Sequence, residues 1–170
     1  ANYIFDINKY IRLNASIRYD DFTYLFNNQL PTGTPSANNH FTNWTPKLGI
    51  NFNRNHHGVY VNYSEGFVAP QITEIYNAVR VPFLLPQKFK NFELGSWYQS
   101  KKIYAEVSLY QLNGENEIIS VRQTDGVNLN QNSGATKHFG IEYQLRYQLN
   151  AQWELLINGT NTKHTYVNTL

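Results

Sequence analysis

The stretch that decides the fold spans residues 138–147 and reads HFGIEYQLRY. Its large apolar residues fall at every second position, from Phe139 to Tyr147, and polar residues or glycine stand between them. A period of two is the pattern of a β-strand that has one apolar face and one polar face. The stretch therefore predicts an amphipathic strand.

The same period returns along the whole chain. The clearest repeats are residues 11–19, 48–52 and 103–109, and shorter matches cover residues 3–7, 59–63, 92–98 and 153–159. A helical period is missing, apart from a short turn expected near residues 73–79. The sequence predicts an all-β chain of about eight antiparallel strands.

The connections between these strands alternate in length. Short polar turns are predicted at residues 8–9, 54–57, 99–101 and 150–151. Long segments rich in Gly, Pro and Asn are predicted at residues 24–43, 66–90 and 111–137, and the last can also extend its flanking strands into a long hairpin. This alternation predicts an up-and-down meander with one plain end and one elaborated end, as in outer-membrane β-barrels.

Composition limits the classes of function. The chain has 170 residues, room for one domain, and its charged fraction of 15% lies below the roughly 25% of an ordinary soluble domain. A net charge of +2 gives no basis for nucleic-acid binding, and the absence of Cys excludes disulfides and thiolate metal sites. Mean hydropathy is −0.52. That value does not exclude a membrane barrel, because barrel strands are apolar only at alternate positions.

The two faces of the predicted strands differ in charge. The polar face is predicted to carry Arg12, Arg18, Lys47, Glu93, Glu106, Glu142 and Arg146. The opposite face is predicted to carry Ile11, Leu13, Ile17, Ile141 and Leu145. A Lys or Arg on a lipid face at the bilayer midplane costs ~2–4 kcal/mol, and none is placed there. A soluble β-sandwich also has strands with one apolar face, and this alternative stays open.

Aromatic residues are predicted to mark the strand ends. These residues are Tyr19, Trp44, Tyr63, Tyr98, Tyr147 and Trp153. Amphipathic rings at such positions are typical of the lipid headgroup level.

Residues 63–76 read YSEGFVAPQITEIY. This run resembles the strand-to-loop signature of TonB-dependent outer-membrane receptors of the siderophore-receptor type, through Gly66, Phe67, Pro70, Glu74 and Tyr76. Further matches follow in the family's order. They are WTPKLGINF at residues 44–52, Glu93 with Gly95, and Gly140 with Glu142.

The resemblance covers roughly residues 10–160 and implies a fragment of the C-terminal β-barrel of a receptor. Complete members carry a signal peptide, a segment that contacts the inner-membrane TonB complex, a globular plug and a barrel of 22 strands. We therefore expect residues 1–170 to be a partial barrel, with the plug domain absent. No signal peptide is recognised, and residues 165–170 end without the terminal aromatic residue of a finished barrel strand, which agrees with the expectation of a fragment.

The resemblance also implies a function. The parent protein is expected to be an outer-membrane receptor for energy-dependent uptake of a scarce chelate, most often a ferric siderophore and less often cobalamin, haem or a glycan. The implied partners are the plug, the remaining strands, outer-membrane lipid, the TonB complex and the chelate, but no nucleic acid. Loop residues are the candidate ligand contacts, since rings stack on flat ligands and Arg pairs with anions: Tyr24, Phe26, Tyr76, Arg80, Phe83 and Arg122.

Two polar features have simpler interpretations. Glu93 and Glu142 are expected to pair with Arg or Lys on the polar face, and contact with the plug is the alternative. Adjacent His56 and His57 are predicted to lie in a polar turn rather than to bind a metal. No catalytic motif is present, and neither an enzyme activity nor a cofactor is predicted.

Two other interpretations stay open. A free-standing outer-membrane barrel of eight strands would close residues 3–7 against residues 153–165. A soluble carbohydrate-binding β-domain would use rings such as Tyr24, Phe26, Phe83 and Trp97 as stacking platforms.

Overall fold

The computed structural model describes residues 1–30, 33–76 and 80–168. Eight strands form one antiparallel sheet in which each strand pairs with its neighbour in sequence, as predicted. The strands are β1 (Asn2–Asp6), β2 (Ile11–Phe26), β3 (Ala37–Arg54), β4 (His57–Val68), β5 (Gln87–Gln99), β6 (Ile103–Arg122), β7 (Asn128–Gln148) and β8 (Glu154–Asn168). The short helix α1 spans Ile72–Ile75.

The register confirms the predicted faces. Residues directly opposite each other on paired strands share a face of the sheet, and a step of one residue moves to the other face. One row of opposed residues crosses the sheet as Leu13, Ile50, Val61, Leu94, Leu109 and Ile141. The row beside it carries Arg12, Asn51, Tyr60, Gly95, Ser108 and Glu142. The sheet therefore has an apolar face and a polar face from β2 to β7. On β8, Asn161 and Lys163 stand opposite Ile141 and Phe139 on the apolar face.

The apolar face has nothing packed on it within the described residues. Leu48 is 58% exposed and Phe92 is 52% exposed, although both are large apolar residues in the middle of strands. All the strands of the described residues belong to one sheet, so these residues do not form the two-layer core of a β-sandwich. This arrangement excludes the sandwich alternative and leaves a broad apolar surface that water does not favour.

The sheet is open at both sides. Within the part of the chain that the structure describes, β1 pairs only with β2, and β8 pairs only with β7. The closure of residues 3–7 against residues 153–165, which a small eight-stranded barrel requires, is not formed. Both edge strands present unpaired backbone groups.

The short turns lie where they were predicted. At the β3–β4 hairpin the turn is Asn55–His56, and Asn55 has a φ of 54°, a value that Asn tolerates better than most residues. His56 therefore lies in the turn, and His57 begins β4.

The long connections are shorter than predicted. β2 continues to Phe26 and β3 begins at Ala37, because their ladder extends through the pairs Phe22–Phe41 and Tyr24–Asn39. β6 and β7 form the long hairpin that was the second option for residues 111–137, so only residues 123–127 connect them. Residues 31–32 of the first predicted segment lie outside the described residues.

One long connection remains, between β4 and β5. We call its described residues, 69–76 and 80–86, the cap. Helix α1 lies in the cap where a turn was predicted, and residues 77–79 of that prediction lie outside the described residues. Among the described residues, no helix has the length and apolar character needed to cross a membrane.

The sheet divides into two parts at the level of the cap. β3 and β4 pair only from Lys47–Ser64 to the turn, although β3 continues to Ala37 along β2. We call the sheet from the short turns up to the Lys47–Ser64 pair the wall. Above it, the β2–β3 hairpin and the strands from β4 onward separate, and the cap lies between them and contacts both sides.

Candidate functional site

The cap has a small apolar core that holds it to the β2–β3 hairpin. Ile75 is fully buried, Leu84 is 3% exposed and Phe41 of β3 is 8% exposed. Tyr24 lies edge-on to Phe41 with 5.9 Å between the ring centroids. Ile75, Leu84 and Phe41 are the buried large apolar side chains of the described residues, so the cap provides the packed core that the wall lacks.

Tyr76 makes the second contact between the cap and this hairpin. Its ring stacks on Phe26 at 4.5 Å between centroids and 13° between planes. Its hydroxyl donates a hydrogen bond of 2.6 Å to Oδ1 of Asn39. Burial raises the pKa of Tyr76, so this hydroxyl keeps its proton and acts as a donor.

The opposite side of the cap is held by the β6–β7 hairpin through side-chain amides. Nδ2 of Asn130 donates to the backbone oxygen of Glu74 at 2.9 Å. Asn132 accepts from the backbone N–H of Leu85 at 2.7 Å and donates to the Leu85 oxygen at 2.9 Å. Near the hairpin tip, Arg80 pairs with Asp125 at 3.2 Å. The cap therefore bridges two hairpins.

Residues of the 63–76 motif form the base of the cap. Oε2 of Glu74 accepts a 2.7 Å hydrogen bond from the backbone N–H of Gln71, which closes the first turn of α1. Pro70 is fully buried. Phe67 lies 5.8 Å from Phe22, between ring centroids, and so links β4 to the β2–β3 hairpin above the level where their ladder ends.

The six candidate ligand contacts fall into two groups. Tyr24, Phe26 and Tyr76 come together, but they pack the cap against the sheet, and Tyr24 and Phe26 lie on β2 rather than in a loop. The other three lie on the outer surface of the cap and of the β6–β7 hairpin. Phe83 is 86% exposed, Arg122 is exposed beside the β6–β7 turn, and Arg80 is the ion-pair partner of Asp125. Ligand binding by these residues stays a prediction.

A second group of polar side chains lies on the polar face of the wall. The hydroxyl of Tyr60 lies 3.1 Å from Oε1 of Glu93 and 3.0 Å from Oε1 of Glu106. The hydroxyl of Tyr104 lies 2.5 Å from the other oxygen of Glu106. The Tyr60 hydroxyl therefore lies between two carboxylates on neighbouring strands and can donate its proton to one of them at a time, while Tyr104 donates to Glu106.

The two glycines of the motif pairs explain how these tyrosines reach so far. Tyr60 of β4 lies across Gly95 of β5 to reach Glu106 of β6, and a β-carbon at Gly95 would overlap its ring. Tyr110 of β6 lies across Gly140 of β7 to reach Thr162 of β8, at 2.6 Å between hydroxyl oxygens. In both cases a tyrosine crosses a strand that has no side chain at that point.

The carboxylates surround a depression of about 450 Å³ on the polar face. We call Glu93, Glu106 and Glu142, which line it, the carboxylate patch. Among the described residues, none of the three forms an ion pair with Lys or Arg, so the expected pairing of Glu93 and Glu142 is not formed. The patch is an anionic surface that a cationic partner can neutralise.

One polar cluster was missed by the sequence analysis. His138 of β7 and His164 of β8 lie directly opposite each other, with their Nδ1 atoms in contact. They are 26 residues apart, so only the strand register reveals the pair. In the described part of the chain, no group of three or more His, Asp or Glu side chains is arranged to hold a metal ion.

Comparison with known proteins identifies the architecture. The family model "TonB dependent receptor-like, beta-barrel" matches residues 1–169. The iron transporter FrpB from Neisseria meningitidis is 15% identical, with a TM-score of 0.74 over 96% of this chain and 24% of FrpB. The ferric-catecholate import receptor Fiu from E. coli K12 is 19% identical, with a TM-score of 0.73 over 99% of this chain and 27% of Fiu.

A third solved structure, the copper transporter OprC, is 16% identical, with a TM-score of 0.76 over 93% of this chain and 26% of OprC. The chain thus spans about a quarter of the length of each solved structure that it resembles. At these identities the likeness shows the fold. The three names describe transport proteins rather than enzymes.

Proposed function

Because the chain belongs to the TonB-dependent receptor β-barrel family, we propose that it forms part of the barrel of an outer-membrane receptor that takes up a ferric siderophore. The parent receptor supplies the plug, the remaining strands and the segment that contacts the inner-membrane TonB complex. The open edges of β1 and β8 are the places where further strands of the parent barrel pair.

The observation that carries this proposal is the pair of unlike faces. Within the described residues nothing packs on the apolar face, as required of a surface that contacts lipid, and the polar face carries the carboxylate patch. In a closed barrel the polar face lines the lumen. The short turns then lie at the periplasmic side, and the cap lies at the extracellular side, where a ligand arrives.

The choice of a ferric chelate rests on the names of the similar structures and on exposed side chains of the cap and of the β6–β7 hairpin. Two of the three similar structures are named for iron or ferric-catecholate import. Phe83 offers an exposed ring for stacking, and Arg122 offers an exposed guanidinium for an anionic chelate. Tyr24, Phe26 and Tyr76 support these contacts from below by holding the cap in place.

Binding and uptake of a radiolabelled ferric siderophore by whole cells test the proposal. A bacterial strain that lacks the receptor is complemented with the full-length wild type, with Phe83→Ser plus Arg122→Ser, or with Lys101→Ser. Lys101 lies in the short turn between β5 and β6 and serves as the matched control. We expect the double variant to bind the chelate about tenfold more weakly, as when a contact worth ~1.4 kcal/mol is lost, and the control to bind normally.

Replacement of entire loops sharpens the test. Binding that survives replacement of both residues 27–36 and residues 69–86 by Gly-Ser segments would contradict the assignment of the ligand site. If the wild type took up no iron chelate, the proposal of a ferric substrate would be contradicted.

We further propose that the carboxylate patch contacts cationic side chains of the plug. The patch has no cationic partner among the described residues of this chain, although it lies in the centre of the wall. Three carboxylates without an ion-pair partner among the described residues favour a positively charged surface opposite them.

Passage of a large antibiotic such as vancomycin through the receptor measures how firmly the plug is held. The triple substitution of Glu93, Glu106 and Glu142 to Gln is expected to increase sensitivity to the antibiotic. Glu115→Gln is the control, because Glu115 pairs with Lys90 at 2.9 Å near the cap. Equal sensitivity of the triple variant and the control would contradict plug contact at the patch.

A further inference from the structure

The strands β7 and β8 bring two histidines together on the polar face. His138 and His164 form a directly opposed pair in the ladder, their Nδ1 atoms are in contact, and their ring centroids are 4.7 Å apart. Strand alternation places both rings on the face that carries the carboxylate patch, since Gly140 and Glu142 follow His138 at even steps. Lys137 and Lys163 fall on the opposite face.

The far side of the His138 ring is held by a chain of hydrogen bonds. Its Nε2 atom lies 2.9 Å from the hydroxyl of Thr136, and that hydroxyl contacts Oε1 of Glu117. Thr136 is buried, which fixes these hydrogen bonds in position. A ring nitrogen that donates toward a carboxylate through such a chain leaves the other nitrogen with its lone pair free to accept a proton or a metal ion.

We infer that His138 and His164 form a two-histidine binding site for a divalent transition-metal ion such as Cu²⁺, Ni²⁺ or Zn²⁺. Neutral imidazole nitrogens are ligands that these ions prefer, and two His residues opposed on antiparallel strands present them at one point. Water completes the coordination.

The fit requires only a small movement. A metal bound at about 2.0–2.1 Å from each nitrogen holds the two nitrogens roughly 3 Å apart, so the rings must open slightly from their mutual contact. Both side chains are partly or fully exposed to solvent, which permits this opening and admits the ion. Of the divalent ions, Cu²⁺ is expected to bind most tightly.

This metal site is distinct from the ligand site proposed for uptake. It lies in the sheet rather than in the cap, and it needs no chelate. Thr136 is assigned as a positioning residue, because it contacts His138 and not the ion.

The test uses the full-length protein, purified in detergent and titrated with Cu²⁺. Binding stoichiometry is measured by calorimetry, and nitrogen coordination is measured by electron paramagnetic resonance. The variants are His138→Asn, His164→Asn, Thr136→Val and Thr136→Ser, with His40→Asn as control. His40 pairs with Asp21 at 2.9 Å on other strands and leaves the pair intact.

We expect the wild type to bind one more Cu²⁺ than either variant of the pair, with a two-nitrogen hyperfine pattern that both variants lose. Thr136→Val is expected to weaken this site about tenfold, and Thr136→Ser to restore it, because serine keeps the hydroxyl. His40→Asn is expected to match the wild type. Equal stoichiometry and equal spectra for the wild type and both His variants would overturn the inference, whichever other sites the protein has.

Discussion

The wall and the cap use the same kinds of residues in opposite ways. In the wall, the backbone ladder fixes each residue, and large apolar side chains such as Leu94 face outward and stay exposed. In the cap, helix α1 has a single turn, and the structure is determined by contacts of Ile75 and Tyr76 and by the hydrogen bonds that Asn132 of β7 makes to Leu85. The structure of the wall thus depends on the alternation of polar and apolar residues and on the solvent that each face meets. The structure of the cap depends on individual side-chain contacts.

The largest expected effect comes from a charge on the apolar face of the wall. Leu94→Arg places a guanidinium in the middle of this face, and if the face contacts lipid, the free energy of unfolding falls by ~2–4 kcal/mol. Denaturant titration of the full-length protein folded in liposomes measures it. Gln144→Arg on the polar face, opposite Glu106, is the control and should cost less than ~1 kcal/mol. Equal costs for both substitutions would show that the two faces meet the same environment.

A second substitution compares a closely packed glycine of the wall with an open glycine at the base of the cap. A β-carbon at Gly95 overlaps the ring of Tyr60, so Gly95→Ala is expected to reduce the free energy of unfolding by ~1–3 kcal/mol. Nothing lies within 4 Å of a β-carbon built on Gly66, and Gly66→Ala is expected to have almost no effect. The same denaturant titration measures both. If Gly66→Ala cost as much as Gly95→Ala, the argument from the Tyr60 contact would fail.

A smaller effect is expected in the cap. Tyr76→Phe removes the hydroxyl that donates to Asn39 but keeps the ring that stacks on Phe26. The loss of one hydrogen bond is expected to cost ~0.5–1.5 kcal/mol and to act on the cap alone. Hydrogen exchange of the full-length protein should show faster exchange in residues 71–76 and unchanged exchange in β6 and β7 of the wall. Faster exchange throughout the wall would show that the two regions are not independent.

The wall could be predicted from the sequence because the alternation that determines each strand lies within a short stretch of residues. The alternation of Ile11, Leu13 and Ile17 with Arg12 and Arg18 was sufficient to assign faces that the register confirms. The strand count, the short turns and the direction of the polar face followed from the same period.

The cap and the contacts of the polar face could not be predicted in this way. The extension of β2 to Phe26 depends on cross-strand pairs such as Phe22–Phe41, in a segment where the apolar residues change from odd to even positions. The use of Tyr24 and Phe26 for packing, rather than for ligand contact alone, depends on a segment 50 residues away in sequence that includes Tyr76. The pair of His138 and His164 needed the exact register of two strands.

The central claim is that the polar face of the wall meets water in a lumen and that the apolar face meets lipid. Single cysteines at positions 105–111 of β6, each carrying a spin label, test it directly, and this chain contributes no cysteine of its own. The label's accessibility to oxygen, which concentrates in lipid, is compared with its accessibility to a water-soluble nickel complex in the full-length, cysteine-free protein. We expect accessibility to oxygen to be the higher of the two at positions 105, 107, 109 and 111. Accessibility to the nickel complex should be the higher at positions 106, 108 and 110. The absence of a period of two, or oxygen maxima at the even positions, would contradict the claim.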